Sequence, residues 1–310
     1  MPKYRIVSID GGGIRGLVTT ILLQRIVATP GLENFLKSIN LIAGTSTGGL
    51  LALGIAYGLD LEHIRDLYIK KGPGIFDDSW LDDLRDLGKL RGADYKIKPL
   101  RRELKSLFGK ATLGQLKKHV LITAFDLDNE DPKPGKRTWK PKLFHNFSGP
   151  GSDSNSSVAD VGLYTSAAPT YFPSVDGYID GGVYANNPSI CALAQTQDDR
   201  YGPTPKLKDV CLLSLGTGTS LQYIRGKSHD WGYVHWIKPL INLMFDGTTG
   251  IADYQCSQFL GNRYHRLAPI FPAGVTVPMD DIKKIPYMIE FAEHLGINDT
   301  IKWLKSNFAS

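Results

Sequence analysis

Ser46 stands in the run Gly44-Thr45-Ser46-Thr47-Gly48, a G-x-S-x-G pattern of the kind that lifts a serine hydroxyl out of a strained turn between a strand and a helix. The glycines have a mechanical purpose there: neighbours without bulk let the chain fold sharply, and the hydroxyl then projects at the positive end of the following helix. Such a serine attacks a carbonyl only if a base takes its proton and donors receive the resulting oxyanion. The seven histidines are scattered. His235, in the aromatic stretch 231–236, would complete a Ser-Asp-His order, although a core or half-exposed histidine is the plainer reading. Asp180 closes Gly177-Tyr178-Ile179 and opens Gly181-Gly182, which places a carboxylate at a strand end among small neighbours; Asp-Gly-Gly is also an ordinary β-turn signal.

A second glycine cluster, Asp10-Gly11-Gly12-Gly13-Ile14-Arg15-Gly16, satisfies G-x-G-x-x-G and invites a dinucleotide reading. That fingerprint needs an acidic residue at the end of the next strand, about 20 positions on, to hold the ribose. Here the next strand runs into Gly44-Thr45-Ser46 instead. Asp10 would also set a carboxylate beside the pyrophosphate, opposing the helix field that attracts it.

The elements around these motifs follow from short apolar runs. Tyr4–Ile9 reads as a strand, and from Ile14 the apolar positions 14, 17, 18, 21, 22 and 26 fall at helical spacing. Residues 41–43 form a second strand before the serine turn, and 50–57 suit a buried helix. Further strands are expected at 120–125, Tyr178–Asp180 and Val210–Leu215, with closing helices at 280–295 and 300–308. Repeated strand-turn-helix units predict an α/β protein with a mainly parallel sheet covered on both faces. Segments 131–142 and 148–157 read as loops, the former with 82–110 a basic surface suited to solvent or to anionic lipid head groups.

Composition narrows the class further. With 42% hydrophobic and 22% charged residues, the chain is globular rather than disordered. A net charge of +5 is too mild to demand a nucleic-acid polymer and fits an anionic membrane surface. The start, MPKYRIVSID, is too polar for a secretory signal, so an intracellular protein is expected. Residues 41–59 carry no charge, the length of a membrane span, yet the Gly-Thr-Ser-Thr-Gly-Gly block inside them favours a buried strand, turn and helix. Cys191, Cys211 and Cys256 are expected as reduced core residues.

Taken in order, the three motifs resemble those of the patatin-like phospholipase family: 10–16 its glycine-rich oxyanion loop, 44–48 its nucleophile elbow, 180–182 its catalytic aspartate. The stretches Thr165-Ser-Ala-Ala-Pro-Thr-Tyr-Phe-Pro173, Asp180-Gly-Gly-Val-Tyr-Ala-Asn-Asn-Pro188 and Ser214-Leu-Gly-Thr-Gly218 are similar to its flanking segments, so the resemblance covers about 4–218. It implies a three-layer α/β/α sandwich in a single domain over 1–310, with 219–310 as a rim or lid. It also implies a dyad without histidine, Ser46 as nucleophile and Asp180 as base. The amides of Gly11, Gly12 and Gly13 would form the oxyanion hole. Arg15 would touch a lipid phosphate or pair with an acid to fix the loop, and Leu17, Leu50 and Leu53 would line an acyl channel or pack helix to sheet. No cofactor or metal is expected. The implied activity is a lipid acyl hydrolase, phospholipase A or lysophospholipase in type, cytoplasmic and peripheral on membranes, its partner a glycerolipid. An acyltransferase with the same dyad and a non-catalytic lipid-binding or storage protein are the alternatives. Some bacterial relatives are switched on by cyclic nucleotides and some plant relatives act on galactolipids; the sequence selects neither and leaves any small-molecule activator undefined.

Overall fold

A computed structural model describes residues 3–76, 93–201 and 204–308; positions 82–92 of the basic segment lie outside the described residues. Seven strands form one sheet: β1 (Tyr4–Ile9), β2 (Leu41–Thr45), β3 (His119–Asp126), β4 (Lys140–His145), β5 (Tyr178–Asp180), β6 (Val210–Leu215) and β7 (Tyr264–Leu267). The order is β4-β3-β2-β1-β6-β7, with β5 pairing β3 off this path. Pairs β3-β2-β1-β6-β7 are parallel, whereas β4 and β5 run antiparallel to β3. The expected mainly parallel sheet is thus present.

Its central strands are apolar on both sides because helices cover both. The longer helices are α1 (Gly16–Val27), α2 (Thr47–Tyr57), α3 (Ile97–Phe108), α4 (Val158–Ser166), α5 (Ser189–Gln195), α6 (Tyr233–Leu260), α7 (Ile285–His294) and α8 (Asn298–Asn307). Alternation along each strand sorts the core in two. Val7, Ile9, Ile42, Ile122 and Leu213 face the larger cluster under α1, α2, α4 and α7, while Ile6, Leu41, Leu121 and Leu212 face the smaller one with α5 and the end of α6. The result is an α/β/α sandwich.

Two strands were not expected. The first half of β4 lies where a loop was anticipated, and its second half and β7 lie where no element was. Both are sheet edges, paired on one side only, and their sequences Lys-Pro-Lys-Leu-Phe-His and Tyr-His-Arg-Leu are polar for that reason. The region after 218 is also more than a rim. β7 extends the sheet beside β6, and Met288, Ala292, Leu304 and Phe308 are buried in the larger core. Cys211 and Cys256 are buried as expected, but Cys191 is half-buried at the edge of the smaller cluster; all three are free.

Candidate active site

Pairing on β3 explains how two residues 134 positions apart in sequence come together. Its residues 119–123 pair β2, ending at Thr45↔Thr123. Its residues 124–126 pair β5, ending at Ala124↔Asp180. β2 and β5 therefore lie end to end along one side of β3, and Ser46 leaves β2 at the point where Asp180 ends β5. The threonines at this junction lock it: Thr45 Oγ1 and Thr123 Oγ1 share a 2.7 Å hydrogen bond, and Thr45 Oγ1 donates to the Ala185 carbonyl at 2.6 Å.

Ser46 has φ 54° and ψ −126°, a strained conformation for a residue with a side chain. The helix α2 starts at the next residue, earlier than the apolar run at 50 suggests. A Cβ on Gly44 would come within 2.2 Å of the Gly48 carbonyl oxygen, and one on Gly48 within 2.2 Å of the Ile9 carbonyl oxygen. Both glycines are thus required by close backbone contact. The Ser46 amide donates to Thr165 Oγ1 at 2.8 Å, which steadies the turn from α4.

Asp180 is fully buried, and burial pushes its carboxyl up to about 7; the Gly182 N–H and the Ser46 hydroxyl act in the opposite sense. Oδ1 accepts from the Gly182 amide at 2.7 Å. Oδ2 has no hydrogen-bond partner among the described residues, although the Ser46 hydroxyl is near enough to act on the carboxyl. Gly181 is obligatory here, since a Cβ would sit 2.3 Å from Thr123 Oγ1.

The glycine loop follows β1 and faces the same point: a Cβ on Gly11 would stand 3.3 Å from the Ser46 Cβ. Its amides are not equivalent. Gly11 donates to the Asn186 carbonyl at 3.0 Å, so its N–H is committed and the expected third oxyanion donor is unavailable. The Gly12 and Gly13 amides have no hydrogen bond to the described residues, and both residues line the cleft. Thr217 holds the loop by donating to the Gly11 carbonyl at 2.8 Å.

Ser46, Asp180, Gly12 and Gly13 share a cleft of about 1130 Å³, its open mouth included. Its remaining wall is largely aliphatic and aromatic, including Leu50, Leu104, Tyr171, Phe172, Phe245 and Met279. Leu17 and Leu53 are not on that wall; both are fully buried in helix-to-sheet packing. Arg15 is not on it either, and its Nε donates to the Gly12 carbonyl at 3.4 Å. It holds the loop through this carbonyl, and the charges of Asp246 and Asp10 also act on it. His235 is exposed on α6, away from the cleft lining. Phe245 and Met279 line the cleft and Thr165 and Asn186 bond its turns, and sequence reasoning assigned none of them; Thr165 and Asn186 lie in segments marked by their resemblance, whereas Phe245 and Met279 carry no signal. Among the described residues no group of three or more His, Cys, Asp or Glu could hold a metal ion.

The family profile described as patatin-like phospholipase matches residues 7–190, a span holding the serine, the aspartate and the glycine loop. The chain belongs to the patatin-like phospholipase family. A "cGAMP-activated phospholipase" of Vibrio cholerae is 37% identical over 235 residues, 69% of this chain and 64% of that protein. A second protein so named, from Pseudomonas aeruginosa, is 30% identical over 272 residues, 86% of this chain and 78% of its own length. "Protein teg" of Priestia megaterium is 26% identical over 335 residues, 99% of this chain and all of the relative. The chain thus spans less than two thirds of the Vibrio relative.

Proposed function

We propose that this patatin-like chain hydrolyses ester bonds of membrane glycerolipids through an acyl-Ser46 intermediate, with Asp180 as general base. The observation that carries the reading is a fully buried carboxyl raised to about 7, set against a strained serine at the head of an apolar cleft. A carboxylate at its ordinary value of 3.8 is too weak a base for a serine hydroxyl. Burial destabilises its charged form and so raises its basicity.

In the first half-reaction Ser46 Oγ attacks the ester carbonyl as its proton passes to Asp180 Oδ2, and the oxyanion is received by the free amides of Gly12 and Gly13. Collapse expels the lysolipid alcohol, which takes the proton back from Asp180. In the second, water attacks the acyl-serine, giving its proton to Asp180, and fatty acid leaves as Ser46 recovers its hydrogen. Each amide donor contributes on the order of 3 kcal/mol of barrier lowering. Gly12 and Gly13 admit no side chain on this account and on a steric one: a Cβ on either would lie 2.1 Å from Thr217 Oγ1 or the Met279 carbonyl oxygen.

The reading is tested by treating the protein with a fluorophosphonate and mapping the adduct. Modification of Ser46 with parallel loss of fatty-acid release from phosphatidylglycerol vesicles is expected. Labelled protein that still releases fatty acid overturns the proposal, and an added acceptor alcohol that captures the acyl group reassigns the activity as transfer. The same assay with and without cGAMP reads whether the activation in two relatives' names extends to this chain.

The pH profile is a separate expectation. Asp180 works only when ionised, so kcat/KM on a soluble short-chain ester should fall about tenfold per pH unit below a limb near pH 7 and level off above it. A limb at pH 4 to 5 would show a carboxyl with ordinary acidity and remove the role assigned to burial.

A further inference from the structure

The 28-residue helix α6 (Tyr233–Leu260) is apolar on two opposite sides. Its inner stripe, Phe245, Ala252, Cys256 and Leu260, is buried. At 100° per residue, Leu240, Leu243, Met244, Ile251 and Tyr254 cluster on the far side, centred about half a turn from that stripe. They are exposed: Leu240 47%, Leu243 46%, Ile251 53%, Tyr254 62%. A surface helix in water normally turns charge outward, and one that is apolar all round is covered by something. Residues 239–260 contain no Lys or Arg, so no long cationic stems shield the face.

Three further observations identify what covers it. First, α6 is part of the cleft wall: Phe245 lines the cleft one residue from exposed Met244, and Thr248 and Thr249 hold Asn186 in the loop below. Second, the chain leading into α6 exposes Leu221 and Tyr223 beside Arg225 and carries Trp231 packed on Trp236, the mixture of apolar, aromatic and cationic side chains that settles at a lipid head-group boundary. Third, another wall of the cleft, α3 (Ile97–Phe108), buries Leu100, Leu104 and Phe108 and exposes Lys98, Arg102 and Lys105, a cationic face complementary to anionic lipid. No helix among the described residues is long and apolar enough to cross a membrane.

We propose that the outer face of α6, with the 221–231 segment, is the surface by which the protein lies on an anionic bilayer, its apolar side chains entering the boundary between head groups and acyl chains. The inference rests on the reading of the cleft as a lipid esterase site and names the partner of that site. A helix in this position buries its apolar face about 5–10 Å into the interface. An acyl chain drawn from the bilayer then passes from lipid to an apolar cleft wall carried by the same helix.

The test separates binding from chemistry. Flotation with vesicles of phosphatidylcholine and phosphatidylglycerol is run in a Ser46→Ala background, so binding is read whether or not the protein hydrolyses lipid. Leu243→Ser/Ile251→Ser/Tyr254→Ser is expected to lower the bound fraction at least tenfold, and the single change Ile251→Asp to lower it in the same direction. With Ser46 present, the triple variant should keep soluble-ester turnover within twofold while losing vesicle hydrolysis. Unchanged flotation of a folded triple variant overturns the proposal. So does a dimer that becomes monomeric in the triple variant with vesicle binding intact, since a second copy then covers the face. Absence of soluble-ester turnover in the wild type defeats the esterase reading alone.

Discussion

Asp180→Asn is expected to abolish ester hydrolysis and, at the same time, to make the protein more stable above neutral pH. The loss follows from the chemistry: asparagine keeps an oxygen for the Gly182 amide but cannot take a proton from Ser46, and general-base removal of this kind costs about 10²–10⁴ in rate. The gain follows from linkage. In the folded protein the carboxyl is raised to about 7 from an ordinary 3.8, because burial penalises its charge. Below pH 3.8 the group is protonated in both states and contributes nothing. Between 3.8 and about 7 the unfolded chain releases its proton while the folded one holds it, so stability declines as pH rises. Above 7 the penalty is complete, and a shift of this size corresponds to about 4 kcal/mol. Urea unfolding of wild type and Asp180→Asn from pH 4 to pH 9 should therefore show two curves that nearly meet at acid pH and separate towards neutrality. A variant that is inactive yet no more stable at pH 9 would mean that the carboxylate is solvated, and the basis for its basicity would be lost. Ser46→Ala is expected to be as inactive without the pH-dependent gain.

The contrast between what the residues announced and what they concealed has a physical pattern. Glycines at 44, 48, 12, 13 and 181 were legible because each meets backbone or a neighbouring side chain where a Cβ would stand, a constraint written directly into residue type. The central strands were legible because burial on both faces leaves continuous apolar runs. Edge strands β4 and β7 were not, since a strand paired on one side tolerates proline, lysine and arginine. Nor was α6, whose sequence carries Pro239, Gly247 and Gly250 against helix propensity; burial of Phe245, Ala252, Cys256 and Leu260 against the body outweighs it. At the site, residue type singled out Ser46 and Asp180, which the fold brings into one cleft, but not which glycine amides lack a backbone partner. Gly11 is lost to the Asn186 carbonyl, a long-range backbone contact that no local pattern encodes.

The largest stability loss is expected away from the dyad, at Arg266. Its guanidinium grips Asp10 by two bonds, Nη2 to Oδ2 at 2.6 Å and Nη1 to Oδ1 at 3.3 Å, and Nη1 also donates to Ser214 Oγ at 2.6 Å. Both partners are nearly buried. Burial pushes the Asp10 carboxyl up and Arg266 pulls it back. Asp10 is the residue from which the glycine loop departs, so the edge strand β7 fixes the loop through this pair. Replacing one member of such a pair leaves the other charge buried and uncompensated, which costs about 3–5 kcal/mol. Arg266→Leu should lose that much at pH 7. With its partner gone, the folded pKa of Asp10 stands above the unfolded value, so the loss should shrink as acid protonates the carboxyl. Asp10→Asn/Arg266→Leu removes the buried charge altogether and should recover more than half of the loss, the sign of a coupled pair rather than of two independent residues. Urea denaturation at pH 5 and pH 7 on the three variants decides it. A loss below about 1 kcal/mol for Arg266→Leu, the range of an exposed ion pair, would show that solvent reaches Asp10 and that the loop is held by Thr217 and Asn186 without it.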